Sequence, residues 1–281
     1  MIAAPVICIC LIVALLMNPV IIPAVKYRAA VSLANEENYD EAISAFEALG
    51  DYRDSAEQIE NCMANRYDSA VSLANEGKYT EAITEFEALG NYQDSAEQIL
   101  SCRYNAIHAL LNEGNYAEAI ELLRTAEVGD TICFGNYEQD DNDSDGKEEI
   151  AWQVLAKENN RILVISNNVI ARVSYNDYYH WLNDTFINEA FSAEEQAMIS
   201  QVSETGNITH RIFLLSVDEA YQYFDSDKAR SCGSEWWLST PSTFRPDSVF
   251  TVDGHGFISG YRRSFNSVGV RPAMWIDLSG L

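Results

Sequence analysis

The sequence predicts a multidomain chain: an N-terminal transmembrane helix, an all-α solenoid of helical repeats, and a C-terminal α+β domain. Three observations predict it. Residues 2–25 carry no charged side chain. The stretch "EALGDYRDSAEQI" at 47–59 returns at 87–99, differing only at Asp51/Asn91 and Arg53/Gln93. After "EVGD" the spacing of apolar residues changes from a helical to an alternating period. The expected boundaries give an anchor at 1–25, three repeat units at 26–128 and a recognition domain at 129–281.

The apolar run, at about 1.5 Å per helical residue, is long enough for a hydrocarbon core of roughly 30 Å. Pro5, Pro19 and Pro23 weaken its ends more than its centre. A secretory signal peptide is the rival reading, but no basic segment precedes the run. A chain that starts directly in apolar sequence is what loss of a short cytoplasmic head would leave. Lys26 and Arg28 follow the span, and by the positive-inside rule they place the body in the cytoplasm.

Tyr27, Tyr67 and Tyr104 mark the three units, 40 and 37 residues apart, and each unit has a second tyrosine twelve positions on. Around Tyr39, Tyr79 and Tyr116 the text reads "NYDEAISAF", "KYTEAITEF" and "NYAEAIELL". Small Ala42, Ala82 and Ala119 allow helices to approach, and Phe46 and Phe86 fill the space beside them. Gly50, Gly77, Gly90 and Gly114 stand where helices should end. Asp54 and Asp94 are expected to cap the long helices, with Glu57 and Glu97 reaching back. From Ser55 to Glu76 there is no Gly or Pro, and Ala56, Ile59, Met63, Tyr67 and Ala70 recur at helical spacing. A short helix followed by a long one, stacked three times, is a solenoid.

Across residues 27–127, "GKYTEAITEF" and its sisters resemble the tetratricopeptide family. The chain departs from that family's period and lacks its terminal proline. The resemblance implies a protein partner in a concave groove; a stiff stalk is the other reading.

In the last part, "TICFGNY", "IAWQVLAK" and "RILVIS" read as strands, the last two joined by an Asn159-Asn160 turn. "WLNDTFINEAF" and "SAEEQAMI" read as short helices, the second with a Ser192/Glu195 capping box. "RIFLLS" is a further strand before "SVDEAYQYF", which Ser216 and Glu219 cap. "EWWLSTP", "SVFTVDGHGFISGY" with a turn near Asp253-Gly254, and "GVRPAMWI" close the domain. Strands and helices mixed in this way give α+β.

"GDTICFGNY", "GKEEIAWQVL", "WLNDTFINEAFSAEEQAMI", "LLSVDEAYQYF", "EWWLSTP" and "GVRPAMWIDL" together resemble an uncharacterised bacterial domain family, a domain of unknown function, over about 129–278. Ser239 stands where that family usually has arginine. The resemblance implies an anchored, extracytoplasmic protein of a Gram-positive bacterium, because "VIIPAVKY" matches the junction such members carry. That implication overrides the charge argument of Lys26 and Arg28. More loosely, the "WWL…GVRP" ending looks like the C-type-lectin-like fold of formylglycine-generating enzymes.

The net charge is −25, from 43 acidic and 18 basic residues. It divides evenly: 20 acidic and 7 basic over 26–128 give −13, and 23 and 11 over 129–281 give −12. Such a surface repels phosphate backbones, which excludes nucleic acid as an expected partner. The six cysteines form no zinc or redox motif. A Cys133–Cys232 disulfide stays open for an oxidising compartment.

Asp141, Asp143 and Asp145 alternate before Gly146, a spacing that suits calcium, but position twelve of such a loop is Trp152. A solvated hairpin loop is the competing reading, and no other cofactor is expected. Trp236 and Trp237 could stack on a ligand, although neighbours in a strand face opposite ways and at least one should be core. Arg271, in an apolar strand, is expected in a buried pair. Tyr261, Arg262, Arg263 and Phe265 form the one basic-aromatic cluster of the chain and are the expected contact residues; a hairpin decorated for solubility is the alternative. His108, His180, His210 and His255 are scattered without a nucleophile motif, so no enzyme is expected. The expected function is a membrane-anchored surface module that binds a protein or glycan through its C-terminal domain, with a second protein partner on the repeats as an option. A lectin-like oxidase using Cys232 and a structural scaffold are the alternatives.

Overall fold

The computed structural model describes residues 21–139, 144, 146–203, 209–243, 246–264 and 267–280. Most of the expected anchor, and Asp141, Asp143 and Asp145, lie outside the described residues. Among the described residues no helix is long and apolar enough to cross a membrane. The chain has an N-terminal helical region followed by an α+β region. By packing it forms two compact units that divide at Cys102/Arg103. The expected boundary at 128/129 follows the change of secondary structure instead.

The first unit holds α1 (21–35), α2 (Tyr39–Glu47), α3 (Ser55–Asn75), α4 (Tyr79–Leu89) and the start of α5 (Ser95–Asn112). The repeated text packs alike in its copies. Ala42, Ala82, Phe46 and Phe86 are fully buried. Tyr27 meets Phe46 edge-on at 5.7 Å, and Tyr67 meets Phe86 at 5.6 Å. Each buried phenylalanine contributes about 1.5–3 kcal/mol. Gly50, Gly77, Gly90 and Gly114 all take positive φ at or just past helix ends. The 37-residue spacing of the third unit is absorbed in the long helix, since α3 has 21 residues and α5 has 18.

Two local expectations are corrected. Asp54 makes no capping hydrogen bond; its φ of −102° and ψ of 28° are not the extended geometry that aims a side chain at the first-turn amides. It accepts instead from the Tyr27 hydroxyl at 2.5 Å and Gln58 Nε2 at 3.1 Å. Asp94 repeats the arrangement with Tyr67 and Gln98. The buried stripe of α3 is Ser55, Cys62, Arg66 and Ala70, whereas Ala56 is exposed. Arg66 can be buried because Asp40 of α2 and Glu85 of α4 pair with it at 2.5 and 2.8 Å.

The second unit contains the rest of α5, α6 (Tyr116–Thr125) and the sheets. Leu111, Ile120 and Leu123 share one cluster with Ile132, Trp152 and Trp237, so these helical residues are core to the α+β unit. One antiparallel sheet has the order β1-β2-β3-β12-β7 and comprises β1 (Thr131–Tyr137), β2 (Glu148–Glu158), β3 (Arg161–Ser166), β7 (Ile212–Phe213) and β12 (Ala273–Asp277). The other has the order β10-β9-β8-β11-β4, from β4 (Ala171–Ser174), β8 (Trp236–Pro241), β9 (Ser248–Val252), β10 (Ile258–Arg263) and β11 (Ser267–Val270). A two-stranded ribbon pairs β5 (Val202–Ser203) with β6 (Thr209–His210).

The four central residues of "RILVIS" are all apolar because both faces are covered. Ile162 and Val164 enter one cluster, Leu163 and Ile165 the other. The short helices are α7 (Tyr178–His180), a π-turn (Trp181–Phe186), α8 (Ile187–Ala190), α9 (Ala193–Met198), α10 (Val217–Tyr223) and α11 (Asp227–Arg230). Both expected capping boxes, at Ser192/Glu195 and Ser216/Glu219, are present. "RIFLLS" is shorter as a strand than expected, and β4 was not legible.

The "GVRP" stretch is the crossover between the sheets. β11 lies in one, β12 in the other, and Arg271-Pro272 joins them. Gly269 pairs parallel to Trp236, and a Cβ there would lie 2.5 Å from the Glu235 carbonyl, so the strands close up only around glycine.

Candidate recognition face

Strands β9 and β10 form a hairpin whose outer strand is an edge of its sheet. Its turn is braced from within. The Asp253 carboxylate accepts from the amides of His255 and Phe257 at 2.8 and 3.0 Å. Burial alone would raise this carboxyl, but those backbone bonds outweigh it and hold it below its ordinary value. From outside, Arg230 Nε donates to the Gly256 carbonyl and the Ser231 hydroxyl to that of Gly254. The rigid turn leaves Phe257 58% exposed. The Arg230 guanidinium also lies 5.0 Å from the Tyr221 ring, itself 59% exposed, so Tyr221 and the Gly256–Phe257 peptide flank one cation.

At the other end of β10, Arg262 and Arg263 are exposed. Arg262 forks onto Glu235, with Nε and the NH2 nitrogen both 2.6 Å from carboxylate oxygens. Those hydrogen bonds raise its guanidinium pKa. Glu235 also accepts from Thr251 at 2.9 Å. The Arg262 charge is therefore largely answered by Glu235. The side chain of Tyr261, and Phe265, fall outside what is described.

Trp236 and Trp237 are corrected as contact residues: both are fully buried. They do face opposite ways, but each face has its own apolar cluster, Trp237 in one and Trp236 in the other. The Trp237 indole is satisfied by the Val173 carbonyl at 2.8 Å. Arg271 is buried at 2% exposure, yet no carboxylate pairs with it among the described residues. Its partners are the carbonyls of Ser166 and Arg230, at 2.6 and 3.2 Å, with the rings of Phe224 and Trp236 within 5.5 Å. Burial lowers its pKa to about 10.

Cys133 and Cys232 are free thiols, so no disulfide joins them. Cys133 packs in one cluster and Cys232 against the other. Burial, followed by the nearby Glu149 charge, pushes the Cys133 thiol up. Among the described residues no group of three or more His, Cys, Asp or Glu side chains is placed to hold a metal ion.

Sequence reasoning missed Glu235, Tyr221 and Phe257. Glu235 is 27 residues from Arg262, and nothing local signals that pairing. Phe257 did carry a signal: it directly follows the Gly254-His255-Gly256 turn, at the tip of a hairpin rather than inside a strand.

Residues 159–278 match the family DUF6273, a domain of unknown function. The match runs from the β2–β3 turn to the residue after β12 and bears out the resemblance to an uncharacterised domain family over that range. None of the curated proteins matches the chain.

Proposed function

We propose that the protein is a binding module of the bacterial cell surface. In this reading residues 1–25 anchor it, the helical repeats act as a tetratricopeptide-like spacer, and the C-terminal domain recognises a ligand outside the membrane. The observation that carries the proposal is the braced edge hairpin β9–β10. It exposes Phe257, Arg262 and Arg263, while the domain's other conspicuous aromatic pair, Trp236 and Trp237, is core. Arginines and aromatic residues on a rigid support are typical anchors of interfaces. In a chain of net charge −25 the arginine end is a local exception, suited to an acidic or polyol-rich protein or glycan. The anchor rests on the uncharged stretch 2–25 and the "VIIPAVKY" junction. A C-type-lectin-like assignment of the domain rests on the "WWL…GVRP" ending.

The test compares the full chain with its Arg263→Ala variant against an acidic glycan probe such as heparin-derived oligosaccharide. The proposal expects weaker binding at an unchanged melting temperature. Equal binding by both proteins would remove Arg263 from the face.

A further inference from the structure

Three stretches of sequence that take no part in the hairpin face meet around one cavity of about 380 Å³. Asn136 of β1, Lys147 ahead of β2 and the "AFSAEE" segment supply walls, and Leu111 and Tyr116 add to them. All belong to the unit 103–281. The cavity owes its shape to Gly135, which has φ +75°. A Cβ at that position would lie 2.5 Å from Phe191 Cε1 and 2.8 Å from the Ala190 carbonyl. Only glycine lets residues 190–192 lie this close to β1.

Glu195 gives the cavity its chemistry. It is 7% exposed, and its Oε2 accepts the Ser192 amide at 2.8 Å as half of the capping box. Its Oε1 has no hydrogen-bond partner among the described residues and is not cut off from solvent, and the residue lines the cavity. A carboxylate taken this far out of water with an oxygen left over is strongly favourable for a cation that can donate to it. Lys147, the basic residue on the wall, donates to the Glu189 carbonyl instead. Leu111 and Phe191, 8% and 4% exposed, offer an apolar bed beside the carboxylate. The volume is at the small end for ligand pockets.

We propose that this cavity binds a small ligand with an ammonium or guanidinium group, seated on Glu195 Oε1 with its alkyl part on Leu111 and Phe191. The site is independent of the hairpin face. The test is calorimetric titration of the full chain with cadaverine, and with 1,5-pentanediol as the uncharged analogue of equal length. Cadaverine should saturate and pentanediol should not. Glu195→Gln keeps an oxygen acceptor for the Ser192 amide, so its melting temperature should hold while cadaverine affinity falls about tenfold or more, roughly 1.4 kcal/mol. Glu118→Gln, an exposed carboxylate outside the cavity wall, should change nothing, which separates the site from attraction to an acidic surface. Arg263→Ala should also leave cadaverine binding intact, so this proposal and the hairpin proposal fail separately. If Glu195→Gln is destabilised, Asn112→Trp decides, because that exposed wall residue can plug the mouth. Equal cadaverine affinity in the wild type and the folded variant, no saturation at millimolar cadaverine, or equal binding of pentanediol would overturn the proposal.

Discussion

Arg262 is at once a candidate contact and one half of an ion pair. Arg262 is tied to Glu235 by two bonds of 2.6 Å, with side-chain exposures of 51% and 21%. Truncating it should cost stability, but less than about 1 kcal/mol, because water screens half of the pair. Arg263 is exposed as well, so Arg263→Ala should likewise cost less than about 1 kcal/mol; thermal melts of the two variants check both. The cysteines give a second residue-scale prediction. Cys62, Cys102 and Cys133 are at most 2% exposed, and burial pushes all three thiols up. Cys232 is half-buried. Native alkylation followed by peptide mass spectrometry should therefore modify Cys232 well before the other three. Labelling of Cys133 at the same rate would mean that its cluster opens readily.

At the scale of elements, a Tyr–Asp bracket closes each of two copies of the repeat and should be visible in acid. The Tyr67 hydroxyl, then Gln98, holds the Asp94 carboxyl below its usual range; Tyr27 and Gln58 do the same for Asp54. A carboxyl lowered in the folded state stabilises the fold above its unfolded pKa, about 4, and loses that contribution as pH falls through the folded value. The melting-temperature gap between wild type and Tyr67→Phe at pH 7 should thus narrow below about pH 4, and a gap independent of pH would contradict the bracket. Gly135→Ala should cost more than about 1 kcal/mol, since it meets both positive φ and a ring 2.5 Å away. Gly129→Ala, with φ +99° but open space, should cost less; denaturant midpoints of the two rank them. What was legible at this scale was local. The capping boxes at Ser192 and Ser216 need only four residues, and the hairpin turns at Asn159 and Asp253 only a few more. The Asp54 cap failed because Tyr27, a residue 27 positions away, takes its carboxylate. Trp237 could not be recognised as core until β11, β4 and the helices covered its face.

At the scale of the whole molecule, the two compact units have different packing solutions. The first unit buries small and aromatic residues in repeated clusters around Arg66. The second buries both faces of its strands and extends its core into α5 and α6. Address is a property of the same scale. If the proposed topology holds, protease added to intact expressing cells should remove the 129–281 epitope; protection of that epitope while other surface proteins are digested would put the body in the cytoplasm. The central claim, recognition by the β9–β10 hairpin, meets its most direct test on a combined glycan and protein array probed with the full chain and with its Arg262→Ala/Arg263→Ala variant. The account predicts that wild type binds acidic or polyol-rich spots and that the folded variant loses at least about 1 kcal/mol there, roughly fivefold in affinity. An unchanged binding profile from a variant that melts like wild type would contradict it.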